Sequence, residues 1–311
     1  MITTQGNAPG NTTYNVQAQK SHSDKASDDI ENRKKSPDSS GKDVVSISND
    51  ARKAIDNSIT NSQDQYYEKF MPTYEGFSAT NIAAGVSSPA SEPFSSGKSF
   101  NQVAIDARSS LDRNYEKLYN IGKPYVAGSA TATDRNSLMG ELDRRALYAV
   151  VSNEGGLFTK YEQALAQSTM SQQQGLAMGL YAGPISESDK FIDPFFGDSA
   201  QQFKAGIQFL DQVSNEEKAG SIDFAIQRAS MQQAYELKMH DLGETPEDFS
   251  TIHPLVNLIL QALESRNGII NYESDGSIFS DSEDLRNQPW FSNYSDRLDE
   301  AVKKTKDLYL G

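Results

Sequence analysis

Apolar residues are spread very unevenly along this chain. In residues 1–42 they are isolated, at Met1, Ile2, Ala8, Tyr14, Val16, Ala18, Ala26 and Ile30, among Ser, Asn, Gln, Thr, Asp and Lys. Apolar surface this sparse does not offset the entropy of ordering a backbone, so the segment is predicted to be a disordered leader. Val44, Ile47, Ala51, Ala54 and Ile55 then recur at helical spacing. They predict a short amphipathic helix over 43–60, with Ser48 or Asn49 as its cap and Asp50 in its first turn. So short a helix is marginal alone in water and is expected to order on a partner through Val44, Ile47, Ala51 and Ile55. Residues 61–98 scatter Pro72, Pro89, Pro93, Gly76, Gly85 and Gly97 among serines and alanines. They read as a linker or extended arm, with Phe70, Tyr74, Phe77 and Phe94 as anchors.

From residue 99 onward a helical period takes over. Ser99 with Gln102 reads as a capping box before the stripe Phe100, Val103, Ala104, Ala107, Leu111 and Leu118. Leu138, Met139, Leu142, Ala146, Ala149 and Val150 predict one helix from about Asn136, broken at Gly155-Gly156. Thr159 with Glu162 caps the next, which runs towards Met170 and is weakened beyond it by Gly175 and Gly179. Phe203, Ile207, Phe209 and Leu210 mark another, as do Ile222, Ala225, Ile226 and Ala229. Thr245-Pro246-Glu247-Asp248 has the form of a helix start. Pro254–Leu263 is apolar nearly all round and should be the central buried helix. Ser274-Asp275-Gly276 lies between two short apolar runs and predicts a β-hairpin near 269–279. Ser295 opens a last helix with Leu298, Ala301, Val302 and Leu308 facing inward. The expected fold is all-α: a single helical domain over 99–311 with one small β-hairpin, behind a long disordered leader.

Composition sharpens that division. All 20 leucines lie between Leu111 and Leu310, whereas a usage of about one in ten would place about ten before them. The net charge is −14, with 29 Lys and Arg against 43 Asp and Glu. Residues 244–300 hold 12 acids against Arg266, Arg286 and Arg297. Such a surface disfavours nucleic acid and anionic membranes, and suits a basic protein or divalent cations better. There is no cysteine, which excludes disulfides, zinc–thiolate sites and a cysteine nucleophile. The first residues have no basic and apolar signal pattern, and no stretch approaches a membrane span. The chain is therefore expected to be cytoplasmic or exported without a cleaved signal.

Candidate chemistry is thin. Asn271, Glu273 and Asp275 with Gly276 resemble the start of a calcium loop, but its twelfth position is Ser282 and Glu283 falls one residue late. The expectation is no metal and no cofactor. Glu154, before Gly155-Gly156, could serve a carboxylate-based hydrolase, although Glu141, Asp143 and Glu162 compete as its second carboxylate. Arg144-Arg145 is expected to pair with Glu141 and helical neighbours. Phe195 and Phe196, within Asp193–Asp198, read either as a pocket or as a plug at the edge of the core. Trp290 is expected to pack on the last helix. Asp43–Lys53, DVVSISNDARK, resembles a short phrase of bacterial flagellar anti-sigma factors and flagellum-associated proteins. The resemblance covers that stretch alone and assigns no functional residue.

These readings favour a non-enzymatic bacterial interaction protein that binds a protein partner and is exported by a flagellar or type III-like route. The alternatives are a hydrolase with its site near Glu154, and a cytoplasmic regulator whose 43–57 segment folds on its partner.

Overall fold

Eight of the helices start where a polar side chain accepts an orphan backbone N–H of the first turn. Ahead of them, residues 63–68 are helical and lead into Phe70 and Met71, both buried. Helix α1 is Thr80–Ser87, α2 Phe100–Asn120 and α3 Ala132–Met139. Next come α4 at Arg144–Val151, α5 at Lys160–Ala177 and α6 at Ser199–Asp211. Then follow α7 at Asn215–Gly220, α8 at Ile222–Asp241 and α9 at Pro254–Glu264. Helix α10 is Ser282–Arg286 and α11 is Leu298–Leu310. Ser99, Thr131, Asp143, Thr159, Asp198, Ser214, Ser221 and His253 supply the caps of α2 to α9. The computed structural model describes residues 63–265 and 282–311. Among them there is no strand, and no helix is long and apolar enough to cross a membrane. The hairpin expected at 269–279, the leader over 1–42 and the helix over 43–60 lie outside the described residues.

The described elements are mostly helical, as the spacing predicted, and the apolar helix α9 is buried on nearly every side. Five details differ. Within 61–98, expected to be a linker or extended arm, residues 63–68 and Thr80–Ser87 are helical, and Phe70, Met71, Ile82 and Val86 are buried in the core of the body, which therefore does not begin at residue 99. The helix expected from Asn136 to Val150 is two, α3 and α4, because the chain turns at Gly140–Asp143. A β-carbon on Gly140 would lie 1.9 Å from the Ser78 carbonyl oxygen, and Asp143 starts a new helix by accepting the Ala146 N–H at 2.9 Å. Ser99 caps α2 alone, since the Gln102 amide donates to Asp106 instead. Thr245-Pro246 opens no helix. Residues 244–253 cross α8 without regular secondary structure, with the Glu247 N–H on the Tyr235 hydroxyl and the Arg228 guanidinium on the Phe249 carbonyl. Ser295 falls inside a 3-10 segment, Pro289–Arg297, and the last α-helix starts at Leu298. Trp290 packs against the core beside that helix.

Two main apolar clusters form the interior. The first gathers Phe70, Met71, Ile82 and Val86 with the inner faces of α2, α3, α4 and α5. The second gathers Phe209, Leu210, Phe224, Ile226, Leu285, Phe291 and Leu298 around α9. A polar seam joins them. Arg144 forks onto Glu217 at 3.0 and 2.7 Å and its guanidinium sits 4.7 Å from the Phe209 ring centre. Arg145 forks onto Glu216 at 3.2 and 2.6 Å. The two arginines thus pair with α7, across more than 70 residues of chain, while Glu141 pairs with Arg113 and Lys117 of α2.

Candidate partner-binding surface

The segment between α5 and α6 carries the two most exposed large apolar side chains among the described residues, Ile185 and Phe196. Its course is dictated by the end of α5. Gly179 adopts φ +72°, and a β-carbon there would lie 2.4 Å from the Asp193 carboxylate and 2.7 Å from the Phe195 ring. Glycine therefore serves twice, in the left-handed turn that ends the helix and in letting the returning loop lie against it. The Leu180 N–H donates back to the Gly175 carbonyl at 2.9 Å. Gln172, buried in α5, donates to the Ala182 and Phe70 carbonyls at 2.8 and 3.1 Å, and the Tyr181 hydroxyl donates to the Pro184 carbonyl.

From there the loop alternates inward and outward. A 3-10 turn, Ile185–Lys190, leads to Phe191, whose ring packs 5.5 Å from those of Phe70 and Tyr181. The Ile192 N–H donates to the Tyr66 hydroxyl at 2.8 Å. Asp193 accepts the Phe195 and Gly197 N–H groups at 2.8 and 2.7 Å and the Gln202 amide at 3.3 Å. Asp198 caps α6 through Ala200 and Gln201. Between these ties, Ile185 and Phe196 are each 91% exposed and Ile192 is 68% exposed. Phe196 also holds φ +52°. A bulky residue in the left-handed region is rare and costs about 1 kcal/mol or more. The two phenylalanines are split: Phe195 is half-buried against Gly179, and Phe196 points to solvent. Residues 183–198 hold Glu187, Asp189, Asp193 and Asp198 against Lys190, a net charge of −3. Burial, with Glu187 and Asp189 adding to it, pushes the Tyr181 hydroxyl up to about 12. The chemistry available is that of a fixed apolar contact set in acidic surroundings.

The other predicted sites fall elsewhere. Val44, Ile47, Ala51 and Ile55 lie outside the described residues, as do Asn271, Glu273 and Asp275. Glu154 opens a 3-10 turn, Glu154–Gly156, and is half-exposed. Its suggested companions are engaged elsewhere. Asp143 takes the Phe94 and Ser95 N–H groups and the Ser95 hydroxyl besides its cap, and Glu162 takes Arg108, Tyr115 and Thr159. Among the described residues no group of His, Asp and Glu is placed to hold a metal ion.

One carboxylate pair escaped sequence reading. Glu217 and Asp223 line a cleft with Arg144, Tyr148, Gln174 and Gln227. Burial raises the Asp223 carboxyl to about 6, against the lowering effect of its bond from Gln227 and with a further rise from Glu217. The free volume there is about 20 Å³, which admits one water and no organic substrate. Comparison of the chain with protein-family models, curated proteins and solved structures finds no match.

Proposed function

We propose that this protein works by binding a protein partner, with the 183–198 loop as the contact on the helical body. One observation carries the reading: Ile185, Ile192 and Phe196 are held out to water by a loop whose backbone is tied down on both sides. Scattered exposed apolar residues are ordinary, but three on one constrained loop, one of them in a strained conformation, call for a partner. Pre-ordering lowers the entropy lost on binding, and a buried aromatic anchor is the usual centre of such a contact.

The test is a pair of variants, Phe196→Ala and Ile185→Ser with Ile192→Ser, compared with the parent by crosslinking in the native host. Crosslinked species present with the parent and absent with both variants are expected. Identical crosslinking by parent and variants, with all three equally helical and equally stable to heat, overturns the reading.

A further inference from the structure

We propose that the occupant of this loop is a protein segment that carries apolar side chains between lysines or arginines. The proposal rests on the reading of the loop as a docking surface and adds the chemistry of what docks. The apolar trio is interleaved with acidic residues. Glu187 and Asp189 lie on the Ile185 side, close enough to Tyr181 to raise its hydroxyl. Asp193 falls between Ile192 and Phe196, and Asp198 follows Phe196. Lys190 is already spent on Glu187 at 2.8 Å, so the loop's remaining negative charge is left for a ligand to neutralise. Asp193 and Asp198 are fixed by backbone N–H groups, which holds their charge in place.

Charge selects among the possible occupants. A second copy meeting the loop through the same patch would set one net charge of −3 against another, in a chain whose total is −14. Like charges at a rim disfavour association. Anionic bilayers are repelled for the same reason. A segment whose basic residues alternate with apolar ones meets these acids while its apolar side chains cover Phe196 and its neighbours. Rim charges of this kind act mainly on association rate and on salt dependence.

The experiment is selection of a random-peptide phage library on the full-length protein, with counter-selection on the Phe196→Ala, Ile192→Ser double variant. Both substituted side chains are exposed, and circular dichroism and thermal melting verify that the variant remains folded. Peptides enriched in Lys or Arg on either side of apolar positions are expected. Their affinity should fall about tenfold or more on Phe196→Ala and weaken further for Asp189→Lys and at high salt. Loop-dependent peptides without basic enrichment overturn the proposed chemistry and leave the docking surface standing. If no peptide distinguishes parent from variant, the docking surface itself falls. Loop-dependent sedimentation with phosphatidylcholine vesicles, or loop-dependent dimers in analytical ultracentrifugation, overturns the proposal in favour of lipid or of self-association.

Discussion

His253 shows how one residue can set a pH dependence. Its Nδ1 accepts the Val256 N–H at 3.2 Å, and its Nε2 lies 2.9 Å from the Lys218 carbonyl. Only the neutral ring, protonated at Nε2, satisfies both. The ring lies between Phe224 and Tyr309, and burial, with Lys218 and Arg228 nearby, lowers its pKa below the ordinary 6.5. The unfolded chain therefore takes up the proton first as pH falls. The stabilising contribution is complete above about 6.5 and is lost as pH drops towards the lower folded value. His253→Asn keeps a capping acceptor without the titration, so its melting temperature is expected to fall less than the parent's between about pH 7.5 and pH 5.5. Asp223 acts in the opposite sense. Its folded value of about 6 lies above the unfolded 3.8, so the ionised carboxyl costs stability above pH 6 and that cost is relieved towards pH 3.8. Asp223→Asn is expected to raise the melting temperature at neutral pH and to lose the advantage in acid. Equal shifts at both pH values would refute the assignment. Neither residue stood out in the sequence, because a lone histidine or aspartate acquires such a shift only from what is packed around it.

At the scale of the element, the apolar stripes were readable, but of the caps only Ser99 and Thr159 were, and the breaks were not. Thr159 and Glu162 form the reciprocal capping box that their spacing announces. Gly140 gave no such warning, because the apolar stripe of Leu138, Met139, Leu142 and Ala146 runs straight through it. Its backbone is helical, φ −61°, so the requirement is for space rather than for an unusual turn. Gly140→Ala would press a methyl group onto the Ser78 and Asn136 carbonyl oxygens. The expected cost is about 1–3 kcal/mol in urea unfolding, and a loss well below 1 kcal/mol would show that the contact yields freely. The segment 244–253 teaches the converse. Thr245 and Pro246 are suited to start a helix, but the bonds with Tyr235 and Arg228 tie the segment to α8 as an irregular strap.

At the scale of the molecule, the polar seam between the two apolar clusters governs cohesion. Arg144 and Glu217 are both nearly fully buried, and a buried charge deprived of its partner is costly. Glu217→Ala is expected to lose about 3–5 kcal/mol by chemical denaturation, whereas Arg144→Met with Glu217→Leu should lose far less or gain. If the double variant is as unstable as the single one, the seam contributes more than charge compensation. Read alone, the chain yields the helical class, the burial of α9, the caps Ser99 and Thr159, the acidic balance and the absence of thiol chemistry. Each of these depends on local spacing or on simple residue identity. Tertiary structure decided where α3 gives way to α4, which acids Arg144 and Arg145 meet, and which of Phe195 and Phe196 faces water. Those outcomes depend on groups brought together from far along the chain: Ser78 against Gly140, α7 against α4, and the returning loop against Gly179. Periodicity records which face of an element is apolar, but it carries no record of what that face will meet.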